Sequence, residues 1–347
     1  MKRYLVFGVV LSLVAATVWA GAGQEPKKKA IKLGTVLHIA GIPFCEQIAT
    51  GARDAGKDLG VHVEITGPSQ LDAAMQISMF NTLVAAGYDG ISNVPYPAEQ
   101  FVVPIQKARE AGALVTSMNV SPMPETGGLF VGHATYLGGI ALGEALLKQL
   151  KGKKGDVIIG ITIPGAPPLE DRAAGVKAVL SKHPEFRVLG PFDVGADIST
   201  NYNQWQNLYA ANPNAIALIG VAAQDVPNLS KIRKRNNAKF VVGGFDLEPE
   251  TLTAIKEGFA DVTVGQHPYL QGYLPIKAMY EKLTMGKEIP NGWIDVGSPI
   301  IDATNIDEIL AVESDPKALY DYYNKIITEQ YSDLSKIVKP LAEVEKR

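Results

Sequence analysis

From about residue 32 onward, short apolar runs alternate with longer stretches in which apolar residues recur at helical spacing. The short runs, rich in Val, Ile and Leu, predict strands at Lys32 to Leu37, Val61 to Thr66, Gly90 to Val94, Leu114 to Met118 and Asp156 to Thr162. Further runs follow at Arg187 to Gly190, Ala215 to Gly220, Phe240 to Gly244 and Val262 to Gly265. Between them lie helix-length segments such as "FCEQIATGARDAGKDLG", "LDAAMQISMFNTLVAAG" and "EDRAAGVKAVLSKHP". Several such segments end in Gly, as helix C-termini often do. Strand and helix alternating at this spacing predict parallel sheets covered by helices on both faces. So many strands fit two doubly wound sheets better than one. The two halves share the order strand, loop, long helix, strand with little identity, which is a repeated architecture and no strong internal repeat.

The 347-residue length agrees with two lobes. With 46% hydrophobic and 20% charged residues, the chain can bury a sizeable core. The N-terminus reads "MKRYLVFGVVLSLVAATVWAGAGQ": a basic start, an apolar stretch, then small residues. That is the order of a secretory signal peptide, expected over residues 1 to 22 and followed by a polar linker over 23 to 30. A membrane span is the weaker reading, because Gly8, Ser12 and Thr17 dilute an apolar core that barely reaches the ~20 residues a spanning helix needs. The mature protein is therefore expected to be soluble and extracytoplasmic. Its formal charge of −3 becomes more negative once Lys2 and Arg3 leave with the leader, which gives no electrostatic footprint for nucleic acid.

Cys45 is the sole cysteine, so no internal disulfide can form, and it reads as a small buried hydrophobe. The five histidines are scattered and no zinc spacing occurs, so neither a metal nor a cofactor is expected. Phosphate-binding glycine loops and the GxSxG elbow are absent. The adjacent acids Glu170 and Asp171 are poorly placed to flank a scissile glycosidic bond. A binding protein is expected rather than an enzyme.

Ligands of open parallel sheets bind beyond the carboxyl ends of the strands. That rule selects His38, Phe44 and Cys45 after the first strand, Tyr96 after the third, and Asn119 after the fourth. In the second half it selects Arg172, then Phe245 and Asp246, and finally Gln266. Rings that pack on C–H surfaces, with amides and charges that bond hydroxyls, suit a small polar ligand. Each residue also has a plainer reading. Asp246 is a candidate turn or helix cap, Arg172 a surface partner of Glu170 or Asp171, Phe44 a core ring and His38 a hydrogen-bonded loop residue. Tyr96, held between Pro95 and Pro97, suits either a cleft wall or the outer surface. Trp205 sits at helical spacing and reads as core.

The order "IPF", "GYDGI", "EDRAAGVKAV", "VVGGFD" and "VTVGQHPYLQG" resembles the periplasmic sugar-binding proteins of ABC importers, the ribose-binding and autoinducer-2-binding group, over roughly residues 31 to 300. The resemblance implies the type I periplasmic binding protein fold, two α/β lobes joined by a three-crossing hinge. Crossings near Gly132, Gln266 and Val296 would divide the chain into 31 to 132 with 267 to 296, and 133 to 266 with 297 to 347. By the same resemblance Phe44 matches a sugar-stacking ring, Arg172 a sugar-binding Arg, Asp246 a hydroxyl-binding Asp, Gln266 the Gln at a crossing, and His38 a contact position. The chain departs where ribose binders carry Asp-Arg, having Asn119 and Val120; where they carry a second ring, having Cys45; and near Ala222, where their cleft Asn is absent. The autoinducer-2 group differs too, with Asp at the Asn119 position and Lys at the His38 position. The resemblance thus implies a different sugar, a polyol or a related hydroxylated solute, with an ABC importer permease as partner. Presentation of the closed form to a chemoreceptor or sensor kinase, and an autoinducer-2-like signal, are the alternatives. The protein is expected to act as a monomer.

Beyond residue 300, Ile326, Ile327, Tyr331, Leu334, Ile337, Val338 and Leu341 recur at roughly helical intervals. They predict an amphipathic helical extension, grouped here with the second lobe, that packs on a lobe or meets a partner.

Overall fold

The computed structural model describes residues 30–344, so the expected leader, the expected linker up to residue 29 and the last three residues lie outside the described chain. The compact unit begins at Lys32. Its first part runs β1 (Leu33–Val36), α1 (Pro43–Leu59), β2 (Val63–Thr66), α2 (Ala73–Ala85), β3 (Gly90–Asn93), α3 (Val102–Glu110), β4 (Leu114–Met118) and β5 (Leu129–Gly132). The chain continues through α4 (Thr135–Gln149), β6 (Gly155–Ile161), α5 (Pro167–Leu180), β7 (Phe186–Asp193) and α6 (Ile198–Ala211). Then come β8 (Ala217–Gly220), α7 (Asp225–Arg235), β9 (Val241–Phe245), α8 (Pro249–Lys256) and β10 (Val262–Val264). Last are α9 (Pro268–Met285), β11 (Gly292–Asp295), β12 (Ile300–Asp302), α10 (Ile306–Glu313) and α11 (Pro316–Gln330).

These strands form two six-stranded sheets, ordered β2-β1-β3-β4-β5-β11 and β7-β6-β8-β9-β10-β12. Within the two sheets, among the described residues, only β12 runs antiparallel, against β10. The backbone therefore passes between the sheets after β5, after β10 and after β11. Three strands escape the sequence pattern: β5, β11 and β12 are only three or four residues long, and β5 pairs with β11 in the register Leu129↔Gly292 to Gly132↔Asp295.

Local signals account for the helix boundaries. Pro43 opens α1, where its missing N–H is no loss, and Gly60 closes it at φ 65°. Asp72, Asp197 and Asp315 each accept a backbone N–H in the first turn of α2, α6 and α11. The two-residue period of β6 then sorts its side chains: Val157, Ile159 and Ile161 enter the core under α4 and α5, and Ile158 joins Trp205, Leu218 and Val242 on the opposite face. The assignment of Trp205 to the core holds, since the ring is fully buried.

Helix crossings in the two halves use the same device. A Cβ on Gly272 of α9 would lie 1.9 Å from the Ile48 carbonyl oxygen of α1, and a Cβ on Gly139 of α4 would lie 2.3 Å from the Arg172 carbonyl oxygen of α5. Only Gly permits backbones this close.

The tail departs from the sequence grouping. Helix α11 ends at Gln330, and the rest proceeds through short 3₁₀ turns and an extended stretch. It packs on the first sheet's side: Tyr320 Oη donates to Asp58 at 2.9 Å, Tyr323 stacks on Tyr269 with ring centroids 4.4 Å apart, and Lys339 exchanges backbone hydrogen bonds of 2.7 and 2.8 Å with Trp293. Val344 completes a cluster with Phe130, Ala134 and Trp293. Buried aromatic faces on α9 and β11, invisible to local periodicity, draw the tail there.

Candidate ligand-binding cleft

The carboxyl ends of β9 and β10 bring Asp246 and Gln266 together. Gln266 Nε2 donates to Asp246 Oδ1, and Asp246 sits at φ 72°, its N–H donating to the Val264 carbonyl at 2.9 Å. The carboxylate caps no helix: Glu248 occupies the cap position of α8, with no side-chain bond there. Positive φ is tolerated by Asp better than by bulky residues, and it turns the side chain into the interior instead of toward a helix start.

Arg172 is the second departure. Of its sequence neighbours, Glu170 accepts from the Gly165 N–H and Asp171 accepts from Thr135 Oγ1. The guanidinium is buried at 7% exposure, 4.4 Å above the Phe245 ring, with Nη1 donating to the Val221 carbonyl at 3.0 Å and lying 3.9 Å from Asp246 Oδ2. Its Nε has no partner. Burial lowers the Arg172 pKa and Asp246 opposes that; burial raises the Asp246 pKa, opposed by Arg172 and Gln266. The pair is loose and incompletely bonded, a costly state for buried charge unless something else completes it.

Asp246 and Gln266 line one cavity and a second opens beside Asp171, while Arg172 lines neither. Phe44, Gln47 and Glu248 also line the first, of about 260 Å³. Phe44 also packs on the Cys45–Ile48 cluster, so the core and cleft readings of this ring are both met. Burial, then Asp246 and Glu250, push Glu248 up to about 7. Across this cavity Gln47 of α1 donates to both Glu313 carboxylate oxygens, at 2.8 and 3.0 Å. The other cavity, of about 590 Å³, has Tyr96, Asn119, His133, Thr135 and Asp171 on its walls. Asn119 is held at φ 62°. His38 lines neither cavity: its ring meets Tyr96 edge-on at 6.3 Å and the Cys45 Sγ at 3.9 Å, and burial lowers its pKa to about 4.

Two residues at these strand ends were not picked out from sequence. Asn93, the last residue of β3, is fully buried with both amide atoms unpartnered. His133 follows β5 directly and is also buried. A polar amide ending an apolar run is a usable signal for Asn93; His133 had none, because β5 itself was unseen. Asn93, Arg172 and His133 leave donors or acceptors open, while Asp246 and Glu248 bring carboxyl groups to the smaller cavity. That mixture matches a neutral solute carrying several hydroxyls. Among the described residues no group of His, Cys, Asp and Glu could hold a metal ion, and no helix is long and apolar enough to cross a membrane.

The family model described as the periplasmic binding protein domain matches residues 33–288. The chain belongs to the periplasmic binding protein family. Among curated members, it is 26% identical over 308 residues to a xylose/arabinose-binding protein, XylF, of Sulfolobus acidocaldarius, covering 83% of this chain and 75% of that one. It is 26% identical over 312 residues to the D-allose-binding periplasmic protein of Escherichia coli, covering 84% and 94%. A solved ABC transporter solute-binding protein of Burkholderia graminis, in complex with D-arabinose, superposes with a TM-score of 0.72 at 23% identity, over 80% of this chain and 96% of that one. That likeness carries the fold, and the two doubly wound sheets agree with it. The curated relatives named here are binding proteins.

Proposed function

We propose that this chain is an exported solute-binding protein that captures a sugar or polyol between its two sheets and delivers it, unaltered, to an ABC importer. The observation that carries the reading is the buried, under-bonded Arg172–Asp246–Gln266 cluster at the strand ends, a constellation that a hydroxylated solute completes. The named sugars of the curated relatives point the same way. Phe44 and Asn119 serve from the first half, Arg172, Asp246 and Gln266 from the second, and Tyr96 walls the larger cavity. His38 acts behind Tyr96 rather than on the solute.

The moving lobes in this reading are residues 32 to 132 with 267 to 296 and the tail from 316, and residues 133 to 266 with 297 to 315. A ligand touching both favours the closed arrangement by its differential affinity, and closure presents a joined surface to the permease. The first 22 residues act as the export leader, and the mature chain works as a monomer.

The test is a thermal-shift screen of the mature chain, freed of copurified ligand by unfolding and refolding, against pentoses, hexoses, deoxysugars and polyols, with amino acids as controls. A ligand at about a hundred times its Kd adds roughly 2.7 kcal/mol of stability, a shift of a few degrees. A shift with one sugar or polyol supports the proposal; silence across all of them, or a shift with an amino acid alone, overturns it.

A further inference from the structure

His133 stands where the chain leaves β5 for α4, at the first passage between the sheets. Its ring is 2% exposed. Nδ1 is hydrogen-bonded to Ser298 Oγ at 3.3 Å, and Ser298 lies between β11 and β12, in another of the passages. The ring also fills the space beside Gly138, where a Cβ would meet Nδ1 at 3.2 Å and the Phe245 ring at 3.4 Å. The imidazole is thus fixed between Ser298, in one passage between the sheets, and Gly138 and Phe245 of the second half.

The other nitrogen is idle. Nε2 is buried with no hydrogen-bond partner, and a buried polar atom left so costs ~1–3 kcal/mol. The Gln266 side chain, committed to Asp246 through its Nε2, lies within hydrogen-bonding influence of the imidazole but makes no well-formed bond to Nε2. Burial, then the Arg172 charge, hold His133 neutral by lowering its pKa to about 3, opposed by the hydrogen-bonding influence of Gln266 and aided least by His267. A neutral imidazole that uses Nδ1 on Ser298 keeps one acceptor or one N–H at Nε2, depending on tautomer. A hydroxyl group, donor and acceptor at once, completes either form. The cavity of about 590 Å³ that His133 borders, with Asn119 and Thr135, has room for the group that brings it.

We propose that His133 is a ligand-contacting, specificity-setting residue whose Nε2 hydrogen-bonds one particular hydroxyl of the captured solute. This rests on the sugar or polyol reading above and adds a residue that discriminates among such solutes.

The experiment measures Kd by calorimetry for wild type and His133→Ala of the mature chain, using whichever of D-ribose, D-xylose, D-arabinose and D-allose binds best, together with its monodeoxy analogues. His133→Ala should weaken the parent sugar about 10-fold. One deoxy analogue should lose about as much on wild type and nothing further on the variant, because sugar and protein each removed the same hydrogen bond. Deoxy effects that are identical in the two proteins overturn the assignment of His133 while leaving the sugar-binding reading intact. Failure of wild type to bind these four sugars or any other sugar or polyol of the screen above removes that reading and this one with it. A ¹⁵N spectrum of the wild-type histidines covers a poorly folding variant: the Nε2 resonance of His133 should move on saturation with sugar, and an unmoved resonance overturns the contact.

Discussion

Asp246→Asn separates a structural carboxylate from one held for a ligand. The side chain is 8% exposed, accepts from Gln266 and lies 3.9 Å from Arg172 Nη1. At that distance, with an effective dielectric of about 20, the attraction to Arg172 is at most ~4 kcal/mol. Against this stands the desolvation of the carboxylate, several kcal/mol per ion in a buried pair. Desolvation is the larger effect here, because the Asp246 pKa is raised in spite of Arg172 and Gln266. A carboxyl whose folded pKa exceeds its unfolded value contributes stability below the unfolded pKa and loses it as pH rises through the folded one. At neutral pH ionised Asp246 therefore weakens the empty protein, and Asn, which keeps the shape and can still accept from Gln266, relieves that strain. The free protein should change by no more than ~2 kcal/mol in urea unfolding, and its stability should depend less on pH in the acid range. Binding should behave oppositely: a hydrogen bond from a solute hydroxyl to a charged group contributes ~1.5–3 kcal/mol, so Kd should rise roughly 10- to 150-fold by calorimetry. Arg172→Ala is the contrast, since it leaves a buried carboxylate without its cation and should cost ~3–5 kcal/mol of folding stability. If Asp246→Asn instead unfolds the protein readily while the remaining folded fraction binds sugar with unchanged Kd, the carboxylate is structural and the reasoning fails.

Three further outcomes follow from the fold. Burial lowers the His267 pKa to about 4, so its contribution is full above the unfolded value near 6.5 and shrinks as pH falls toward 4. His267→Asn, acceptable at φ 46°, should remove ~2 kcal/mol of the stability lost between pH 7 and pH 5, and equal pH slopes in wild type and variant would exclude this. Gly272→Ala should cost ~3 kcal/mol in urea unfolding, because its Cβ would enter the Ile48 carbonyl of α1; a neutral result means that α1 and α9 can separate without penalty. Ending the chain after Gln330 uncovers Trp293 and Phe130 and should lower stability by roughly 2–4 kcal/mol with a red shift in tryptophan emission. An unshifted emission would show that the tail does not shield Trp293 in solution.

Strands with both faces buried announce themselves as apolar runs, so β1, β3, β4, β6, β8 and β9 are legible where each stands. The period-two sorting of β6 between two cores explains why Val157, Ile158 and Ile159 are all apolar. β5, β11 and β12 owe their existence to partners far along the chain, such as the pairing of Gly132 with Asp295, and a run of three or four residues beside Gly and Pro gives no local sign of that. The same limit hid His133, whose position matters only because β5 ends one residue before it.

The site residues divide along the same physical line. The rule of strand carboxyl ends selects Phe44, Tyr96, Asn119, Asp246 and Gln266, which all line cavities in the fold, because it depends on topology and the topology was readable. It could not say which polar groups lose their water. Arg172 follows two acids in sequence, and a helix start rich in charge argues for an exposed ion pair; the fold instead turns Glu170 to the Gly165 N–H and Asp171 to Thr135 of α4, and slides the guanidinium over Phe245. That choice depends on the Phe245 face and the Val221 carbonyl, contributed by two strands far along the chain from the arginine. Desolvation of a charge is a property of the assembled surface, so the energetic character of this site arises at the level of packing, one step beyond what periodicity and spacing encode.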